Sequence, residues 1–222
     1  MSVLGIDEIT YGVDDLPACR RFFTDWGLKL VAEEADLLTF ESLNGCRVLV
    51  AANSRPGLPP AIEEGPTLRE VVWGVESAAD LALYESRIAS LPGFARQGNR
   101  IGCTDPNGLA VRLQVTQKRD VQVGSAEYNT WARKGRINQA SPAYERATPI
   151  EVGHVVFFVA DVKACEAFYA SRFGFVASDR YPNRGAFMRC APEGGHHDLF
   201  LLQLPSGKRG INHVAFTVRD IH

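Results

Sequence analysis

The chain has 222 residues, 45% of them apolar and 23% charged, with 24 basic against 26 acidic side chains and a formal net charge of −2. That length and balance suit one or two globular domains with real cores, and the lack of a dense Lys/Arg stripe excludes the electrostatic footprint of a nucleic-acid or anionic-membrane binder. The longest apolar stretch, around Val155 to Ala160, is too short to span a bilayer, the N-terminus has no basic start of an export signal, and five cysteines (Cys19, Cys46, Cys103, Cys165, Cys190) without a C-x-x-C spacing read as small buried residues of a reduced, cytoplasmic protein.

A strand opens at Glu8-Ile-Thr-Tyr-Gly-Val13, with Glu8, Thr10 and Gly12 facing one way and Ile9, Tyr11 and Val13 the other. Asp14 and Asp15 can cap a helix that has Pro17 in its first turn, carries Ala18, Cys19, Phe22, Phe23 and Trp26, and stops at Gly27. Short strands return at Leu37 to Ser42 and Arg47 to Ala51. The pattern restarts at Glu70-Val-Val-Trp-Gly-Val75, followed by a helix from Ser77 with Leu81, Tyr84, Ile88 and Leu91 on one stripe. Strands at Arg100 to Cys103 and Leu109 to Gln114 flank Asp105-Pro106-Asn107-Gly108, which reads as a turn. Residues 118–149 show no sustained period and predict an interdomain linker, in which Trp131 is expected to pack against something. A third copy opens at His154-Val-Val-Phe-Phe-Val159, with a helix capped by Asp161 that runs through Cys165, Phe168, Tyr169 and Phe173 to Gly174, then strands at Gly185 to Cys190 and Asp198 to Leu204. A fourth opens at His213-Val-Ala-Phe-Thr-Val218 and reaches its helix cap at Asp220.

The first positions of the four copies are Glu8, Glu70, His154 and His213, and their spacing is that of one supersecondary unit. Each unit is roughly β-α-β-β-β, so the fold class is α+β, built of tandem βαβββ modules with two modules per domain. The expected divisions are an N-terminal domain over 1–117, the linker over 118–149, and a C-terminal domain over 150–222. In every copy one strand face is bulky and apolar, which suits packing beneath the helix, while the Glu or His face suits the lining of a cavity. Glu8 and Glu70 read as solvated strand carboxylates of units that only build structure. His154 and His213, at matched repeat positions, read as a pair of metal ligands. The fourth copy breaks off where its helix should begin, so the reading expects a truncated module with about 40 further residues, by analogy with the other copies.

Repeated βαβββ units in two pairs resemble the vicinal oxygen chelate superfamily, which includes glyoxalases, bleomycin resistance proteins and extradiol dioxygenases. Within it the chain looks most similar to the two-domain type I extradiol catechol dioxygenases. The residues that carry this are Gly153-His154 through Asp161, Gly195-His196-His197-Asp198 through Leu201, and Gly210-Ile-Asn-His213 through Asp220. The resemblance implies an Fe(II) enzyme, with Mn(II) as the other fitting metal, that uses O2 to cleave the ring of a catechol-type diol in aromatic hydrocarbon catabolism. It implies that the N-terminal module pair has lost its metal, that His154 and His213 ligate the ion, and that a Glu beyond His222 completes the set. The 222 residues alone are then expected to be inactive. Two imidazoles and a carboxylate on one face of an octahedral ion leave three adjacent positions open for diol and O2, and a non-ligating histidine is needed to move protons. His197 matches that catalytic role; alternation along a strand would send its neighbour His196 to the opposite face. The expected partner is a small aromatic diol, and the resemblance adds a homo-oligomer.

Two alternatives stay open. Another metal enzyme of the superfamily, a glyoxalase-like lyase or isomerase or a thiol transferase, would place a further ligand near Gln203. A metal-free binding protein of the bleomycin-resistance type would not need both histidines.

Overall fold

The computed structural model describes residues 3–124, 143–192 and 194–220. A first run of elements is β1 (Val3–Val13), α1 (Leu16–Asp25), β2 (Lys29–Glu34), β3 (Leu37–Glu41) and β4 (Arg47–Ala52). A second is β5 (Thr67–Val75), α2 (Ala78–Ile88), β6 (Ala95–Gln97), β7 (Arg100–Thr104) and β8 (Ala110–Val115). The third is β9 (Glu151–Phe158), α3 (Val162–Phe168), a π-helical turn at Tyr169–Phe173, β10 (Val176–Tyr181), β11 (Gly185–Arg189) and β12 (Leu199–Leu202); β13 (Gly210–Thr217) follows. Among the described residues, no helix is long and apolar enough to cross a membrane.

The thirteen strands of the described residues form two sheets with one logic. The larger has the order β2-β3-β4-β1-β5-β8-β7-β6, and the smaller β10-β11-β12-β9-β13. In each run the last strand returns parallel to the first, β4 on β1, β8 on β5 and β12 on β9, and the runs join through the antiparallel pairs β1–β5 and β9–β13. The matched strands even share register: Glu8 lies opposite Val72 and Glu70 opposite Thr10, as His154 lies opposite Ala215 and His213 opposite Val156. Both β5 and β13 carry one extra residue, Arg69 and Asn212, immediately before Glu70 and His213. Such a bulge turns the strand's next side chain to the other face.

The capping residues act as their types dictate. Asp15 Oδ1 accepts the Ala18 N–H at 2.8 Å, Ser77 Oγ accepts that of Asp80 at 3.2 Å, and Asp161 Oδ1 accepts that of Ala164 at 3.0 Å; such a cap contributes about 1 kcal/mol. The bulky strand faces are buried at Ile9, Val13, Val71, Trp73, Val155, Phe157 and Val159. On β13 the cover is thinner, since Val214 and Phe216 are only half-buried.

Three strands went unread in the sequence: β2, β6 and β10. β2 and β10 are mostly exposed and carry charged residues in their last three positions, and β6 has three residues. Edge strands with water on both faces have no hydrophobic alternation to display. The third helix also differs from expectation, because after Phe168 it widens into the π-helical turn, which buries both Tyr169 and Phe173.

The sheets are joined by specific contacts rather than by apolar packing alone. Trp73 meets Phe175 edge-on with ring centroids 4.9 Å apart, and the Tyr84 hydroxyl donates to the Phe173 carbonyl. The turn at Asp105 to Gly108 is a docking element. Asp105 Oδ1 accepts the N–H groups of Asn107 and Leu109, and Oδ2 accepts the Tyr169 hydroxyl at 3.0 Å. Asn107 grips the end of β9, donating to the Phe158 carbonyl at 3.0 Å and accepting the Ala160 N–H at 3.3 Å. Flanking the second sheet, Leu43 and Asn44 donate their N–H groups to the Pro149 and Ile150 carbonyls. Trp131 lies outside the described residues.

Candidate metal centre

His154 sits in the middle of β9 and His213 on the neighbouring β13, on the same face of the sheet because of the bulge at Asn212. Without that extra residue, His213 would share the face of Ile211, which lies opposite Phe157 on the bulky side. The two Nε2 atoms stand 3.1 Å apart. Two imidazole nitrogens, each about 2.1 Å from one ion and about 90° from each other, would be separated by about 3.0 Å. The pair therefore fits adjacent positions on a single metal.

Side-chain contacts set both rings up as ligands. His213 Nδ1 lies 2.7 Å from Asn212 Oδ1, an atom that only accepts, so Nδ1 carries the hydrogen and Nε2 keeps its lone pair for the site. Burial, with the charges of His197 and His213 added, pushes His154 down to about 4. His154 is thus neutral, the form a metal needs, at any ordinary pH.

His197 joins this pair. Its ring is 4.3 Å from that of His154 and 5.1 Å from Phe187. Burial, followed by the neighbouring His196, holds its basicity below the usual histidine range. His196 does not point away as strand alternation suggested: the two Nδ1 atoms are 3.0 Å apart, a hydrogen bond in which one ring donates to the other. The reason is that β12 begins only at Leu199, so residues 196–198 lie in a loop to which alternation does not apply. Phe187 and Phe200 are stacked beside the two histidines, with centroids 3.9 Å apart and planes within 4°. Asp198 turns away and accepts the Cys190 N–H.

Gln203, the residue on which a glyoxalase-like ligand set would turn, is engaged elsewhere: its Oε1 accepts the Val162 N–H at 2.9 Å at the start of α3. Among the described residues, no group of three or more His, Cys, Asp and Glu side chains is placed to hold one ion. His154 and His213 supply two donors.

The matching face of the first sheet corrects the expectation of solvated carboxylates. Glu8 is buried and bound by both terminal nitrogens of Arg100, at 2.7 and 2.8 Å, and Glu70 accepts from Arg112 Nε at 2.8 Å. Arginines on the later strands β7 and β8 reach back into the face that carries the histidines in the second sheet. Sequence reasoning missed both arginines, since their pairing partners lie 92 and 42 residues away and no local spacing marks them.

The chain is a mixed α/β protein of two sheets built from βαβββ runs, with two histidines brought together on the adjacent strands β9 and β13. Residues 151–222 match the family described as the Glyoxalase/Bleomycin resistance protein/Dioxygenase superfamily. No curated protein matches by sequence. Among solved structures, the Mn(II)-bound glyoxalase from Novosphingobium aromaticivorans is 21% identical with a TM-score of 0.68, over 97% of this chain and 65% of that one. BphC, a halotolerant catechol dioxygenase, is 20% identical with a TM-score of 0.72, over 100% and 72%. The 2,3-dioxygenase LapB from Pseudomonas sp. KL28 is 15% identical with a TM-score of 0.68, over 97% and 75%. At such identities the likeness is one of fold: the chain has the vicinal oxygen chelate fold of extradiol dioxygenases and glyoxalases. It spans about 65% of the glyoxalase and about 57% of the Brevibacterium fuscum homoprotocatechuate 2,3-dioxygenase.

Proposed function

We propose that this protein is a cytoplasmic, metal-dependent enzyme that cleaves the ring of a catechol-type diol, with Fe(II) held by His154 and His213 and with His197 handling protons. The observation that carries the reading is the 3.1 Å separation of two Nε2 atoms from adjacent strands, which meet each other in a hydrogen bond that a shared ion would replace. A carboxylate from outside residues 1–222 would complete the ligand set. The first sheet suggests how: Arg112, on the strand parallel to β5, reaches Glu70, the counterpart of His213. A strand added to the other edge of β13 could present a carboxylate in the same manner. In this reading residues 1–117 support, 118–149 connect and 150–222 carry the centre.

When bound, Fe(II) would supply a Lewis-acidic centre with adjacent open positions that brings diol and O2 together; Mn(II) suits the same donors. The chain's own residues do the rest. Asn212 orients His213, and burial keeps His154 unprotonated. His197, largely neutral near pH 7, can take a proton from the diol and return it later, with the exposed His196 as its path to solvent. The Phe187–Phe200 stack gives a planar ring an aromatic wall beside His197.

A glyoxalase-like reaction is the second reading, supported by the likeness to the Mn(II)-bound glyoxalase. The engagement of Gln203 with α3 weighs against it. The test is the natural full-length protein, loaded anaerobically with Fe(II) and offered catechols that include biphenyl- and acetyl-substituted ones. A yellow ring-fission product with one O2 consumed per diol is expected, and binding without O2 uptake across the panel would refute the reading. His197→Ala should keep iron and lose most turnover; loss of the iron instead would make His197 a ligand.

A further inference from the structure

The bulge at Asn212 is the feature on which the histidine pair depends, and one side chain from the other sheet is bound to its edge. Glu63 lies in the loop between β4 and β5, and its Oε1 accepts the N–H of Ile211 at 2.8 Å, from 148 residues away. The same carboxylate oxygen accepts the hydroxyl of Thr67, the first residue of β5, at 2.5 Å. Gly210, which precedes Ile211, makes room for it. Its φ of +139° lies where only glycine is unstrained, and a Cβ there would collide with the Glu63 carboxylate. Three independent details, an acceptor, a donor that fixes the acceptor and a glycine that admits it, thus converge two residues before His213.

We infer that Glu63 is a positioning residue for His213: it fastens the leading side of the β13 bulge, and so keeps the His213 ring on the His154 face. Ile211 opposes Phe157 on the bulky face and His213 opposes Val156 on the other, so the switch of face happens wholly within Ile211–Asn212–His213. A bulge can slide or flatten along its strand unless something holds it, and Glu63 holds this one from outside the sheet. Flattening by one residue would turn His213 toward Phe216 and Trp26, an apolar pair 6.1 Å apart, and separate its Nε2 from that of His154. The loop that carries Glu63 is therefore a support built by the N-terminal half for the C-terminal centre.

The inference rests on the proposed metal reading for its consequence but not for its geometry, and the experiment separates the two. Glu63→Ala removes the acceptor, Glu63→Gln keeps an oxygen for Ile211, and Thr67→Val frees the carboxylate while leaving it present. Backbone amide exchange at Ile211, the NOE between the His154 and His213 ring protons, and Co(II) affinity by titration are measured for each, beside a melting curve. Glu63→Ala should speed Ile211 exchange, lose the NOE and weaken Co(II) binding by about ten-fold, as loss of a supporting partner does. Glu63→Gln should restore all three to near wild type, and Thr67→Val should fall between, which decides the matter even where Glu63→Ala folds poorly. Unchanged Ile211 exchange and a retained NOE in Glu63→Ala would overturn the inference. Wild-type protein that takes up no Co(II) would overturn the metal reading instead, while exchange and NOE still decide the role of Glu63.

Discussion

Replacing Arg100 by Met should destabilise the protein by about 3 kcal/mol. Arg100 holds Glu8 with two parallel hydrogen bonds, and the Glu8 side chain is 3% exposed against 28% for Arg100. Removing one partner of a buried pair typically costs about 3–5 kcal/mol, because a charge is left buried without compensation. The lower end applies here, since the partial exposure of Arg100 shows that water can approach from its side. Urea unfolding followed by circular dichroism reads the loss, and the melting temperature should drop by about 6–12 °C. The double variant Glu8→Leu/Arg100→Met should recover most of the loss. A single variant within about 1 kcal/mol of wild type, or a double variant no more stable than the single one, would refute the claim that Glu8 and Arg100 are held as a unit.

The remaining predictions concern the histidines, the docking turn and the two halves compared. His154 is pushed from 6.5 down to about 4 by burial and its histidine neighbours, so its contribution to stability is present above pH 6.5 and is lost as pH falls through about 4. His154→Gln should flatten that part of the urea-derived stability profile, and an unchanged slope would count against the burial of the ring. Burial pushes Asp105 from 3.8 up to about 6, so its contribution is complete below about pH 4 and is lost as pH rises through about 6. The shift is worth about 3 kcal/mol; Asp105→Asn should remove that pH dependence between 4 and 6 while keeping an oxygen for the Asn107 and Leu109 N–H groups. Glu8→His/Glu70→His should add no second Co(II) site to the one expected at His154 and His213 while Arg100 and Arg112 remain, because their guanidinium groups contact that face; uptake of one more equivalent of Co(II) than the wild-type protein takes would contradict this.

Much of the fold was legible because each unit opens on a strand with one apolar and one polar face and then a capped helix. Asp15, Ser77 and Asp161 announce the helices, and the apolar alternation of Ile9, Tyr11 and Val13 or of Val155, Phe157 and Val159 announces the central strands. What escaped was decided by position in the sheet or by distant partners. β2 and β10 are edges, where both faces meet water and the apolar period vanishes. The bulges at Arg69 and Asn212 leave no mark in composition, although each determines which face the following Glu70 or His213 takes. At the site, His154 and His213 could be read from their matched places in the repeat. The pairing of His196 with His197 could not, because it depends on a loop ahead of β12 rather than on strand geometry.

The two halves share register, bulge and strand order, so backbone alone cannot explain why only one presents free imidazoles. The difference lies in what the later strands send back. In the first sheet β7 and β8 send Arg100 and Arg112 into the face, and each arginine meets a carboxylate. In the second sheet β11 sends Phe187, which stacks on Phe200 and leaves the histidine edges open. A buried carboxylate without a cation is unstable, and a buried arginine without a carboxylate equally so, hence Glu8 and Arg100 are understood only together. The His213 imidazole, its Nδ1 held by Asn212, needs no counter-charge of that kind and turns its Nε2 to His154. The same half that carries these ion pairs supplies the restraints on the other: Asn107 on the end of β9, Glu63 on the start of β13, and Asn44 donating to Glu151 at 3.0 Å. Each restraint acts on one of the two strands that carry the histidine pair, so the ion-paired sheet works as the frame against which His154 and His213 are aligned.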